Sequence, residues 1–167
     1  MNEELPDSLI SDANVLIDFA ATDLEVLEIL ARSLGRIHVA RDVLREVKAL
    51  SEAEALRCGL LICEPSLEEI MAAAERGGAL STRDKLCLAI ARNRGWACLT
   101  NDQLLRKKCT NAGVKLVWGL EALLILVRKG HLTKARATKT AHLIHQNNPH
   151  HITTDIVTLF LALLAEV

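Results

Sequence analysis

The sequence predicts an α/β domain: three layers, α/β/α, with a central parallel sheet of four to five strands and a helical C-terminal tail. Three observations carry that expectation. Short apolar runs alternate with longer amphipathic stretches, as strands joined by crossover helices require. The chain has 167 residues, the size of one domain that buries roughly 70% of its unfolded surface. Hydrophobic residues make up 50% of it, against three prolines and eight glycines, which excludes disorder as the main state.

The elements follow in order. Leu9 to Asp12 reads as the first strand. Asn14 to Ala20 and Leu24 to Leu34 read as helices, the second capped by Asp23. Ile37-His38-Val39 is a second strand, followed by a helix from Arg41 to Leu50 and another from Ser51 to Cys58. Leu60 to Cys63 is a strand, and Ser66 to Glu75 is a helix stopped at Gly77-Gly78. A helix from Ser81 to Arg94, closed by Gly95, leads into the strand Trp96 to Leu99. Gln103 to Asn111 is helical, Val114 to Val117 is the last strand, and Leu120 to Lys129 is a helix ending at Gly130. Helices over Thr133 to Gln146 and Thr153 to Glu166 complete a single domain over 1–167, with a core at 9–130 and a helical extension at 131–167. The last helix is apolar around most of its circumference, from Ile156 and Val157 to Leu163 and Leu164, and must be covered on more than one side. Closure of the core is the plain account of it. A homodimer or partner interface is the sharper one.

Composition narrows the function classes. The five cysteines, at 58, 63, 87, 98 and 109, form no C-x-x-C pair. They read as reduced, buried thiols of a cytoplasmic protein rather than a disulfide framework or zinc site. The start, Met1 to Asp7, is acidic and lacks the basic opening of a signal peptide. The longest apolar run, Ile156 to Ala165, is too short to span a bilayer, so no membrane association is expected. The aromatics are Phe19, Trp96, Trp118 and Phe160, too few for a base-stacking platform.

The chemistry lies in four acids. Sites in open parallel sheets form beyond the carboxyl ends of strands, where Asp12 and Asp102 fall. Glu46 and Asp84 sit on the intervening helices, beside apolar neighbours that must pack on the sheet. Each has an ordinary account as well. Asp12, Asn14 and Asp102 suit helix caps, Ser81-x-x-Asp84 suits a capping box, and Glu46 suits a solvated helix face. Taken as a set, four converging carboxylates repel and call for a cation. Hard oxygen donors suit Mg2+ or Mn2+. Such an ion activates water and neutralises charge on a phosphodiester without a side-chain nucleophile.

The order of these motifs resembles the PIN-domain ribonucleases. Ser11 to Asp18 resembles the opening strand of that family, and Val39 to Val47, with Glu46, its second acidic motif. Leu80 to Ala91, with Asp84, and Leu99-Thr100-Asn101-Asp102, with Leu105, resemble the third and fourth. The resemblance covers about 9–130. It implies a metal-dependent ribonuclease preferring single strands, with Asp12, Glu46, Asp84 and Asp102 as catalytic metal ligands for Mg2+ or Mn2+. It also implies the toxin of a toxin–antitoxin pair, with RNA as substrate and an antitoxin protein as partner. The chain departs from the pattern around Asp102, where Asn101 and Gln103 flank it and no acid follows until Glu121. Ala13 stands where many members carry a hydroxyl. Asn14 and Thr100 are the candidate groups to orient the ligands.

Arg83, Lys85 and the run Arg106-Lys107-Lys108 are candidates for backbone phosphate contact, as alternatives to solvated helix faces. The net charge of −1 conceals a split: residues 1–82 sum to −9 and residues 83–167 to +8, which permits a local phosphate-binding face. His142-x-x-His145 places two imidazoles on one helical face, but nothing nearby completes a zinc site and a solvated face is the better account. Two other classes stand beside the nuclease: a non-catalytic RNA-binding or interaction module on the same scaffold, and phosphotransfer through Asp12.

Overall fold

Five short apolar runs form five parallel strands in the computed structural model, which describes residues 5–167; residues 1–4 of the acidic start lie outside the described residues. They are β1 (Ser8–Ser11), β2 (Arg36–Ala40), β3 (Leu61–Cys63), β4 (Ala97–Leu99) and β5 (Leu116–Val117). All four residues of β1 are buried, as a central strand covered on both faces requires. The sheet order is β3-β2-β1-β4-β5. Ile10 lies opposite His38 of β2 on one side and Cys98 of β4 on the other. The chain winds outward from β1 through β2 to β3, then crosses back to place β4 on the other side of β1. That reversal makes the carboxyl ends of β1 and β4 the switch point of the sheet, where sheets of this kind place their sites.

Among the described residues, ten helices flank the sheet: α1 (Ala13–Thr22), α2 (Leu24–Ser33), α3 (Arg41–Leu44), α4 (Glu52–Cys58), α5 (Leu67–Ala74), α6 (Thr82–Arg94), α7 (Gln103–Asn111), α8 (Gly119–Arg128), α9 (Lys134–Asn147) and α10 (Thr154–Ala165). Helix α6 packs on β1 and β4 and carries α5 and α7 against it, while α2 packs on β2 with α1, α4 and α8 around it. Helix α9 lies on α1 and α8, and α10 on α8 and α9. None of the helices among the described residues is long and apolar enough to cross a membrane. Phe19, Leu9, Ile10, Leu27, Ile90 and Leu123 are among the fully buried side chains of one continuous core. All five cysteines are free and buried in it.

Local signals set most boundaries. Ser51 and Ser66 each close a full capping box, with Glu54 and Glu69 answering the cap N–H. Asp23 caps α2 through Val26 N–H, and Gly95 ends α6 in the left-handed region at φ 67°. Two expectations are corrected. Helix α5 stops at Ala74, short of the glycine pair, because Glu75 is extended. The helix expected over Arg41 to Leu50 ends at Leu44. Beyond it, Val47 N–H bonds Leu44 C=O and Leu50 N–H bonds Val47 C=O, turns three residues long. Leu44, Val47 and Leu50 are spaced by three, so tight turns bury all of them where an α-helix would fan them apart. Glu46 therefore sits on a turn.

Candidate metal centre

Asp12 is the first residue past β1, and its position makes it both cap and site. Its Oδ1 accepts Val15 N–H at 2.9 Å, capping α1. Its Oδ2 accepts the hydroxyl of Thr100, one residue past β4. The side chain is 1% exposed. Burial raises its pKa to about 7, opposed by the Thr100 and Val15 bonds and reinforced by the charges of Asp84 and Asp102. Thr100 also accepts Asp102 N–H at 3.0 Å, so one hydroxyl ties the first acid to the fourth. Asp102 in turn caps α7, with Oδ1 accepting Leu105 N–H at 2.7 Å.

Asp84 comes from α6. It makes half of the expected capping box: its N–H bonds Ser81 Oγ at 3.1 Å, but its carboxylate takes the Ser81 hydroxyl proton at 2.7 Å instead of reaching the cap N–H. The aspartate is one methylene shorter than the glutamate that closes such boxes at Ser51 and Ser66. Asp84 is also pushed above the usual carboxylate range, by burial first and then by Asp102 and Glu46. The acids thus converge as a chain of mutual repulsion: Asp12 feels Asp84 and Asp102, and Asp84 feels Asp102 and Glu46.

Convergence falls short of a ready-made cage. Among the described residues, no three His, Cys, Asp or Glu side chains group closely enough to hold a metal ion. Glu46 is already paired, with Oε1 accepting Arg83 Nη1 at 2.5 Å. Asp12, Asp84 and Asp102 take part in none of the ion pairs among the described residues. A divalent cation suits these three by donor chemistry, since all are hard oxygen anions under mutual repulsion.

The polar residues around them divide. Thr100 orients Asp12, whereas Asn14 lies inside α1 and makes no side-chain hydrogen bond to any of the acids. Arg83 holds Glu46 and bonds Asp42 C=O at 3.1 Å. Lys85 is turned away from Asp84, its ammonium donating to Glu75 C=O at 2.7 Å and Gly77 C=O at 2.8 Å. The guanidinium carbon of Arg106 lies over the Trp118 ring, 3.5 Å from its centroid, and Arg106 feels the charge of Asp102. Its Nε is buried without a partner among the described residues. Of the His142-x-x-His145 pair, His145 meets Ile152 C=O at 2.5 Å and is half-buried, while His142 is exposed. The sequence reading missed Ser81 as the partner of the Asp84 carboxylate, and it missed Asp18 and Asn101, polar residues buried to 4% exposure. A lone carboxylate interrupting the apolar run from Val15 to Ala21 was the available signal for Asp18.

A family model described as PIN domain (DUF3368) matches residues 8–166, which takes in α9 and α10 as well as the sheet. No curated protein matches the sequence. Among solved structures, the fold is similar to a PilT N-terminus domain protein from the hyperthermophilic archaeon Sulfolobus solfataricus. The match has a TM-score of 0.51 and 13% identity, over 69% of this chain and 89% of that one.

Proposed function

The chain belongs to the PIN-domain family, whose members are generally metal-dependent nucleases, and from that premise we propose that it is a ribonuclease hydrolysing RNA phosphodiester bonds. Asp12, Glu46, Asp84 and Asp102 are its catalytic carboxylates and the residues that would hold Mg2+ or Mn2+. The observation that carries this reading is the approach of Asp12, Asp84 and Asp102 at the carboxyl ends of β1 and β4, with raised carboxyl pKa values at Asp12 and Asp84 and none of the three in an ion pair among the described residues. When bound, the cation lowers the pKa of a water and neutralises charge developing on the phosphodiester oxygens.

The chain's own residues prepare that chemistry. Thr100 fixes Asp12 and the N–H of Asp102 through one hydroxyl, and Ser81 fixes Asp84. Asp12, whose carboxyl burial raises to a pKa of about 7, would give up its proton to hold a cation. Arg106, held over Trp118 and feeling the charge of Asp102, is positioned to receive a substrate phosphate. Arg83 serves the same end once it leaves Glu46. The reading extends to a cytoplasmic toxin held by an antitoxin protein, and to a homodimer formed through α10, where Leu159 is 61% exposed.

Metal-dependent cleavage of a panel of single-stranded RNAs tests this, with loss of cleavage in Asp12→Asn at retained fold. Absence of cleavage by folded protein in Mg2+ and Mn2+ overturns it. The Glu46–Arg83 pair and the open spacing of the acids favour one other reading, a non-catalytic RNA-binding module. That reading requires RNA binding that survives neutralising all four acids and ignores metal.

A further inference from the structure

Asp18 is a buried carboxylate that the proposed chemistry does not use. It lies on α1, and its oxygens accept from two side-chain amides far apart in sequence. Asn148 Nδ2 donates to Oδ1 at 3.0 Å and to Oδ2 at 3.3 Å, and Asn101 Nδ2 donates to Oδ2 at 3.2 Å. Asn101 is flanked by Thr100 and Asp102, both placed in the site above. Its other end is equally fixed: Oδ1 accepts Gly119 N–H, at the start of α8, at 2.8 Å. Gly119 is the only residue type that fits there, because a Cβ would stand 2.8 Å from Asn101 Nδ2 and 3.1 Å from Oδ1.

The chemistry dictates the orientation. An ionised carboxylate only accepts and a backbone N–H only donates, so Asn101 has one way to satisfy both. The loop after β4 is thereby pinned by a side chain that points into the protein, while Thr100 and Asp102 on either side belong to the site. Asn148 is the C-cap of α9 and holds the following turn through Ile152 N–H at 3.0 Å, which makes it part of the C-terminal extension.

We infer that Asp18 is a positioning residue: the relay Asn148–Asp18–Asn101–Gly119 locks the loop that presents Thr100 and Asp102, and makes the placement of the fourth acid depend on the C-terminal helices. The inference rests on the reading of Asp102 as a member of the site. A buried carboxylate with only amides as hydrogen-bond partners is a poor stabiliser compared with an apolar packing; its use is to set one geometry.

Asn148→Ala tests the relay from its far end, and Asp18→Asn tests it at the centre. Two readouts are taken on the full chain: hydrogen exchange of the Gly119 and Asp102 amides, and Mn2+ affinity by calorimetry. The expected result is faster exchange at Gly119 and Asp102 with the Ile10 amide unchanged, and Mn2+ bound about tenfold more weakly in both variants, as losses of ligand-orienting groups are. Unchanged exchange at both amides overturns the inference, and so does Mn2+ affinity within twofold of wild type when exchange at those amides is faster. If either variant fails to fold, the other decides. Wild-type protein that binds no Mn2+ overturns the metal-dependent reading of the site instead, and the exchange measurement then decides the relay alone.

Discussion

Thr100 donates its hydroxyl proton to Asp12 across the junction of β4 and β1, and with the same oxygen receives the N–H of Asp102. A contact between residues 88 positions apart thus sets the state of an acid that is only 1% exposed. Thr100→Val keeps the shape and removes both bonds. The bond to Thr100 is the largest influence holding the Asp12 pKa down. Without it the pKa moves further above 7, so Mn2+ binding weakens at pH 7 and recovers toward pH 8.5. Calorimetric titrations at the two pH values check this, and an equal loss at both would refute it.

Asp12 places the site in conflict with stability. Its carboxyl holds a proton up to pH about 7 in the native state against the ordinary 3.8. A group with a raised native pKa costs stability as pH climbs between those values. The full cost above pH 7 is about 4 kcal/mol. Asn at this position keeps an acceptor for Val15 N–H and carries no charge. Asp12→Asn therefore stabilises the metal-free protein by about 2 kcal/mol at pH 8 after its altered hydrogen bonds are counted, with the gain vanishing near pH 5. Urea denaturation at both pH values measures it.

The Glu46–Arg83 pair withholds one acid from the cluster. Arg83→Ala frees Glu46 to turn toward Asp84, which already feels its charge. Mn2+ affinity is expected to rise several-fold in Arg83→Ala, while RNA affinity falls. Adding Glu46→Gln to that variant removes the gain in metal affinity. Parallel metal and RNA titrations of the three proteins separate the two effects.

Glu69 stands apart from the site and holds α5 to α6. Buried to 1% exposure, it accepts Arg94 Nε at 2.9 Å and Nη2 at 2.8 Å, Asn93 Nδ2 at 3.0 Å and Ser66 N–H at 2.8 Å. Arg94, chief among these partners, holds its pKa down to about 2. Glu69→Gln breaks the charge-assisted fork and costs about 2–3 kcal/mol at pH 7. A depressed native pKa contributes stability that is complete above the ordinary 4.5 and is lost as pH falls toward 2. The difference between wild type and variant in chemical denaturation accordingly narrows between pH 5 and pH 3.

Gly119→Ala sets a helix-propensity gain against a clash. Alanine favours a helix by about 1 kcal/mol over glycine, but its Cβ meets Asn101, which is hydrogen-bonded at both ends and cannot retreat. The net expectation is a loss of about 1–2 kcal/mol. A stabilised variant in thermal denaturation would show that Asn101 yields.

The sequence by itself determined what depends on neighbours within a turn or two. The Ser81 cap, the stop at Gly95 and the Asp23 cap were legible, because each joins groups no more than four residues apart, whereas Ser51 and Ser66 were read as helical and prove to be caps. The parallel sheet followed from the alternation of apolar runs and helices, and the ordered acids pointed to the family. Tertiary structure alone decided which of those residues meet. The return of the chain after β3 puts β4 beside β1, and that long-range pairing sets Thr100 against Asp12 and Asn101 against Gly119. It also turned Lys85 to the loop carbonyls and gave Arg83 to Glu46, two charges whose partners lie 8 to 37 positions away. Spacing along a chain fixes periodicity and caps. The ionisation of a carboxylate depends on burial and on charges brought near by folding, so only the assembled sheet could raise Asp12 to the edge of neutral pH.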